Sequence, residues 1–260
     1  MSIELILVER VGVVATVRLN RPEKLNALTK DMWLRLGEVF EELSRDNELR
    51  CIVLSSVGGK SFSPGNDITE FETERANKKQ AIGYGTLMEN TLKAIRNCPV
   101  PTVAEIHGIC VGGGMEIAGC CDIRICGTSS RFGAPIKNLG LVMAYGEIEA
   151  LVKLVGADKA KEILFEGKIY SAAEALDIGI VSRVVPDENV HREALETVER
   201  ITSGAPLVAR WHKKFLNRLE QNFPLTREEW EEGFDCYETQ DFATGRTAFV
   251  AKEKPEFEGR

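Results

Sequence analysis

Histidine is scarce in this chain, with three in 260 residues, and no pair of cysteines stands at Cys-x-x-Cys spacing. A zinc site built from such ligands is therefore excluded, and no metal is expected. The seven cysteines (Cys51, Cys98, Cys110, Cys120, Cys121, Cys126, Cys236) are odd in number and lie on strand and helix positions, which predicts reduced, buried thiols. Basic excess is lacking as well. With 33 Lys and Arg against 40 Asp and Glu, the net charge is −7, the wrong sign for a nucleic-acid or anionic-membrane surface. No apolar run approaches the roughly 18 residues of a membrane span, and the first residues carry no basic-then-apolar leader, so a cytoplasmic protein is expected. There is no Gly-x-Gly-x-x-Gly fingerprint, and no Gly-Lys-Ser/Thr follows the glycine turn at Gly112–Gly114, which disfavours a nucleotide-phosphate cradle. Repeats, low-complexity segments and linkers are absent too.

What is present is enough apolar residue, 43%, for a substantial core, and a pattern that alternates strand and helix. Residues 3–19 read as a hairpin: Val13, Ala15, Val17 and Leu19 recur at strand period and Gly12 supplies the turn. A helix is predicted from about Thr29, with Met32, Leu36, Val39, Phe40 and Leu43 on one face. Cys51-Ile52-Val53-Leu54 is a continuous apolar run of the kind a buried parallel strand uses. A loop from Gly58 to Asp67 follows, then a long helical stretch ending before Pro99 and Pro101. Thr102–Ile106 and Ile123–Cys126 are the next strands, separated by a glycine turn and a helix. This βαβ series predicts a parallel sheet with right-handed crossovers. Beyond residue 145 the pattern turns helical. Ser171-Ala172-Ala173-Glu174 and Thr226-Arg227-Glu228-Glu229 read as capping boxes, and Gly179 stops the first of those helices. The expected division is an α/β core over residues 1–200 and a helical region over 201–260, packed on the core or on a neighbouring subunit.

Two loops carry the chemistry. His107-Gly108-Ile109-Cys110-Val111-Gly112-Gly113-Gly114-Met115-Glu116 leads from a strand through three successive glycines into an apolar helix. Glycine lets a backbone approach a ligand closely, and a helix start presents unpaired N–H groups. The other loop is Phe62-Ser63-Pro64-Gly65-Asn66-Asp67, where Gly65 suits a positive φ that directs the Asn66 N–H outward. Each loop follows an apolar strand, so both are expected at the carboxyl edge where α/β proteins bind ligands. Together the Asn66 and Gly113 N–H groups make two donors able to meet a developing oxyanion, with Glu116 placed to move a proton. The plain alternative is a pair of ordinary strand-to-helix turns.

These loops, with Asn20-Arg21-Pro22-Glu23-Lys24-Leu25-Asn26-Ala27-Leu28, Cys121-Asp122-Ile123-Arg124, Ala173–Val181 and the terminal Ala248–Lys252 and Lys254–Phe257, together resemble the crotonase (enoyl-CoA hydratase/isomerase) superfamily nearly end to end. The resemblance implies an α/β spiral of ββα turns with a helical C-terminal trimerisation region, assembled as a homotrimer or as a hexamer of two trimers. It implies an acyl-CoA thioester substrate, of which coenzyme A is part, and no separate cofactor. The thioester oxygen is expected between the N–H groups of Asn66 and Gly113, and Glu116 matches the first of the hydratases' two glutamates. Lys24 and Lys252 match positions that contact the CoA phosphates and adenine. Ser63, Asp67, Ile68, Ile136 and Tyr145 fall on the expected substrate pocket.

The second glutamate does not match: where the family has Phe-Gly-Gln-Pro-Glu, this chain has Phe132-Gly133-Ala134-Pro135-Ile136. Ala144 stands where dienoyl-CoA isomerases and the chlorobenzoyl-CoA dehalogenase resemble an aspartate site. Glu147 either reaches the pocket or caps its own helix. Tyr145 is either a proton donor or a packed tyrosine, and the Asn66 amide either touches substrate or belongs to an asparagine that tolerates a turn. His107 is expected to be a satisfied histidine rather than a catalytic one. The leading expectation is a hydratase or isomerase acting through an enolate, with Glu116 as acid/base. Decarboxylation of a malonyl-type thioester, which needs no α-proton base, is the alternative. A non-catalytic member binding acyl-CoA or RNA is the third, and the acidic charge weighs against RNA.

Overall fold

The opening hairpin forms as its alternation predicts. In the computed structural model, which describes residues 4–260, β1 (Ile6–Val11) runs antiparallel to β2 (Val14–Leu19) across a turn with Gly12 at φ +58°. Thr29 starts α1 (Lys30–Ser44) by accepting the Met32 N–H on its side chain, and Met32, Trp33, Leu36, Val39 and Phe40 form its buried face. β3 (Cys51–Ser56) lies parallel to β2, and the short β4 (Ser61–Ser63) follows. One turn of helix, α2 (Phe71–Glu74), leads to the long α3 (Lys78–Asn97), capped by Asn77 and packed on α1. Then come β5 (Thr102–Ile106), β6 (Ile109–Val111), α4 (Gly113–Gly119), β7 (Ile123–Gly127), β8 (Arg131–Gly133) and the helices α5 (Tyr145–Val155) and α6 (Ala157–Glu166).

After the opening hairpin, each strand pair (β3 and β4, β5 and β6, β7 and β8) places its first strand in one sheet and its second in another. The larger sheet has the order β1-β2-β3-β5-β7-β10 and is parallel apart from β1; the smaller has the order β4-β6-β8-β9. This is the ββα spiral that the resemblance implies. The strands β4, β6 and β8 are three residues each, too short to show a period, which is why the sequence read them as loop and turn. Two further strands interrupt the part expected to be all helical: β9 (Tyr170–Ser171) pairs with β8, and β10 (Arg183–Val185) ends the larger sheet beside β7. Between them the predicted capping box Ser171–Glu174 starts α7 (Ala172–Asp177).

The larger sheet is covered on both faces. Ile52 and Leu54 of β3 face the main core, while Cys51 and Val53 join Val103, Ile125, Val190, Ala194 and Val198 in a second cluster under α8 (Val190–Thr202). Burial on both faces explains the unbroken apolar run 51–54; each buried aliphatic side chain contributes about 1.5–3 kcal/mol. α8 crosses residue 200 without a break and ends at Thr202. The rest is α9 (Pro206–Leu219), α10 (Arg227–Glu232) with its predicted Thr226 cap, and α11 (Gln240–Ala251). Of the two packings expected for this region, α9 docks on its own core: Lys213 Nζ reaches Asp122 (2.7 Å) and the Val100 carbonyl (3.1 Å), and Arg210 donates to the Leu49 carbonyl (2.9 Å).

No disulfide forms among the described residues: six cysteines are buried, and burial pushes the Cys51 and Cys126 thiols up to about 12, which leaves them inert. No helix among the described residues is long and apolar enough to cross a membrane.

Candidate active site

The strands β4 and β6 are parallel neighbours, so the loops that leave them emerge side by side. Gly65, at φ +100°, is the point of contact: a Cβ there would lie 3.1 Å from both the Gly113 nitrogen and the Val111 oxygen. Around this contact four backbone N–H groups are used. Gly65 donates to Ser63 Oγ (3.1 Å), Asp67 to the Leu28 carbonyl (2.8 Å), Gly112 to the Gly133 carbonyl (2.8 Å) and Glu116 to the Gly112 carbonyl (3.0 Å). The Asn66 and Gly113 N–H groups have no acceptor among the described residues. Both residues line a cleft of about 320 Å³. Two fixed, unspent donors on adjoining loops are what a developing oxyanion requires.

Trp33 ties the two loops together from beneath. It is fully buried, its indole N–H donates to Asn66 Oδ1 (2.6 Å), and its ring lies so close to Gly113 that a Cβ there would meet Trp33 Cζ2 at 2.9 Å. The Asn66 amide nitrogen rests on Met88 Sδ (3.6 Å). Its side-chain amide is engaged within the protein and its φ is not positive. The indole fixes the residue whose N–H faces the cleft.

Glu116 sits one turn into α4 and is buried, with Oε2 unpartnered. Glu147, in the first turn of α5, lines the same cleft while accepting the Ala144 N–H. Both expectations for Glu147 are therefore met at once, since the helix start that it caps packs against α4. Burial, then the charge of Glu147, holds the Glu116 carboxyl well above the usual carboxylate range. Burial also raises Glu147, while the Ala144 N–H and the Arg75 guanidinium work in the opposite direction. Burial and the nearness of Glu147 thus disfavour ionisation of both carboxyls at once.

Ile136 and Ile68 form part of the cleft wall. Other expected pocket residues lie elsewhere. Ser63 is fully buried, donating to the Asn26 carbonyl (2.8 Å) and accepting from Gly65, so it shapes the loop instead of meeting substrate. Asp67 pairs with Arg21 (2.6 Å) and caps the turn at Thr69; these bonds hold its carboxyl at about 2. Tyr145 is 94% exposed and neither packed nor in the cleft: two residues along a helix is about 200° around it, so Tyr145 and Glu147 leave α5 on opposite sides. Lys24 and Lys252 are exposed and outside the cleft. His107 is paired with Glu105 (3.1 Å), which also holds His191 (3.1 Å), so it is a satisfied histidine as expected.

Sequence patterning passed over Trp33, whose buried N–H had to find an acceptor, and Arg75, which nothing separates from the other charges of 70–80. A larger cavity, about 760 Å³, lies between α9, α10 and residues 97–99. Its charges are already paired, Lys213 with Asp122, Lys214 with Glu232 and Arg218 with Glu229, and it offers no comparable acid pair.

The family model for enoyl-CoA hydratase/isomerase matches residues 9–260. The chain belongs to the enoyl-CoA hydratase/isomerase family. Within this family it is 35% identical over 258 residues to the short-chain-enoyl-CoA hydratase of Clostridium acetobutylicum, covering 98% of each chain. It is 34% identical over 202 residues to the human mitochondrial Delta(3,5)-Delta(2,4)-dienoyl-CoA isomerase, covering 74% of this chain and 61% of that one. A crystal structure of an enoyl-CoA hydratase/carnithine racemase from Magnetospirillum magneticum superposes with a TM-score of 0.97 at 44% identity, covering 100% of this chain and 97% of that one. The hydratase/isomerase fold of these relatives is the spiral described above.

Proposed function

We propose that this protein adds water across the 2,3 double bond of an enoyl-CoA thioester. The observation that carries the proposal is the Glu116–Glu147 pair beside the unspent Asn66 and Gly113 N–H groups. Glu147, partly exposed and stabilised by the Ala144 N–H, is the carboxylate; Glu116, buried and without a partner on Oε2, keeps the proton. Glu147 takes a proton from water as the water oxygen bonds to C3. The double-bond electrons move to the thioester oxygen, the two N–H groups hold the resulting enolate, and Glu116 delivers its proton to C2. Each donor is worth about 10²–10³ in rate, and the proton transfers about 10²–10⁴. Coenzyme A enters as part of the substrate and no separate cofactor is needed. Lys24 and Lys252 are proposed contacts for its phosphates and adenine.

Decarboxylation suits a site short of carboxylates, whereas this cleft is lined by two, Glu116 and Glu147. The test is hydration of crotonyl-CoA, followed as loss of the conjugated thioester absorbance. The wild type is expected to be active, and Glu147→Gln to lose about 10²-fold or more in kcat. A wild type that leaves crotonyl-CoA untouched but releases CO2 from a malonyl-type thioester would refute hydration.

Assembly as a trimer or a pair of trimers is proposed on the apolar side chains that the C-terminal helices leave exposed, among them Leu216, Leu219, Phe223, Trp230 and Phe234. Sedimentation at micromolar concentration should give three or six times the 28.8 kDa chain mass; a monomer there would end the idea.

A further inference from the structure

We propose that the acyl chain handled in this cleft ends in a carboxylate, and that Arg75 binds it. This rests on the acyl-thioester reading above and names its substrate class. Arg75 closes α2 and lines the cleft together with Asn66, Gly113, Glu116 and Glu147. Its guanidinium lies over two rings, 4.7 Å from the centroid of Phe71 and 4.9 Å from that of Tyr84, so its plane is held in place without any ion pair.

Three of the four carboxylates of its own segment are taken by another cation or donor, and the fourth, Glu72, is exposed and makes no ion pair with it. Asp67 is held by Arg21 (2.6 Å), Glu74 by Lys30 Nζ (2.6 Å) and Glu70 by the Lys30 backbone N–H (2.8 Å). No acceptor among the described residues lies within hydrogen-bond reach of the Arg75 side chain. Its charge is felt by both Glu116 and Glu147, yet it forms an ion pair with neither. It is therefore close to the acid pair without being spent as its counter-ion.

Apart from Asn138, the rest of the wall, including Ile68, Ile136, Leu141 and Val142, is apolar and suits an aliphatic chain. An unpaired guanidinium set into such a wall lacks the acceptor that its fork of donors matches, and a carboxylate supplies it with two parallel bonds. Because Arg75 shares the cleft with the proposed acid pair, that carboxylate belongs to the acyl part of the substrate and not to the CoA phosphates.

The experiment compares kcat/KM for glutaconyl-CoA with that for the uncharged, length-matched 2-pentenoyl-CoA. The wild type is expected to favour the carboxylated ester, and Arg75→Gln to lower that preference by about 10-fold or more, the loss usual for removing a hydrogen-bonded partner from a charged group. Arg75→Lys should recover part of it. Circular dichroism melts confirm that the variants are folded. A preference for the uncharged ester in the wild type, or a ratio unchanged in Arg75→Gln, overturns the proposal while leaving the hydratase reading intact. If the wild type hydrates neither ester, the hydratase reading fails, and Arg75 is judged by binding: glutaryl-CoA should bind the wild type more tightly than Arg75→Gln, and equal affinity overturns it.

Discussion

Glu116→Gln is expected to lower kcat for crotonyl-CoA hydration by about 10²–10⁴ while making the folded chain more stable at neutral pH. The two effects share one cause. Folding places the Glu116 carboxyl where its charge is disfavoured, by burial first and by the charge of Glu147 second, so its pKa lies well above the ordinary 4.5. Between the ordinary value and the raised one, the folded chain binds more protons than the unfolded chain. Stability therefore falls as pH rises through that window, by up to about 1.4 kcal/mol per pH unit. Below the ordinary value both states are protonated and the penalty vanishes. Glutamine has nothing to titrate and escapes it. Thermal melts of the two proteins from pH 4 to 8 should show the variant gaining on the wild type as pH rises. A Tm difference that does not change with pH would show that Glu116 is not strained by ionisation, and an unaltered kcat would remove it from the chemistry.

Gly65→Ala is the second large effect, expected to reduce kcat by about 10²–10³ with a much smaller change in KM. Residue 65 has φ +100°, where a side chain costs about 1–3 kcal/mol, and the new methyl would stand 3.1 Å from the Gly113 nitrogen. The two loops would have to separate, which turns the Asn66 and Gly113 N–H groups out of register. Since both groups are proposed to act on the enolate more than on the bound ester, the loss falls on turnover. Gly83→Ala is the matched control. Gly83 lies within α3, a Cβ there meets nothing within 4 Å, and alanine is the better helix former by up to about 1 kcal/mol. If Gly65→Ala retains full kcat, the Asn66 and Gly113 donors are not the oxyanion site.

Both predictions begin in features that the sequence displays. Three successive glycines before a helix, and Gly65 in a short loop, are demands of local backbone geometry, so they are written where they act. The same is true of the Thr29 cap, the capping boxes at Ser171 and Thr226, and the apolar run 51–54 that marks a strand buried on two faces. Glu116 was legible because it is tied to the glycine turn by one turn of helix. Residue period, turn chemistry and capping all depend on neighbours within a few positions.

What the sequence left open depended on partners far along the chain. The strands β4, β6 and β8 owe their existence to one another, because three residues become a strand only when another chain segment supplies the hydrogen bonds. Ile136, at the position of the absent second glutamate, suggested a site with one carboxyl. Folding brings the start of α5 against α4 and places Glu147 beside Glu116, while sending its near neighbour Tyr145 into solvent. Trp33 reaches across 33 residues to fix Asn66, and Arg75 makes no ion pair while Arg21 and Lys30 hold Asp67, Glu70 and Glu74 near it in the chain. The sequence by itself determined the alternating α/β pattern, the two glycine loops and the place of Glu116 one helical turn beyond them. The tertiary structure decided that Glu147 and Arg75 face the cleft with Glu116 and that Trp33 fixes Asn66 from beneath, because burial and charge pairing are set by contacts that no local pattern encodes.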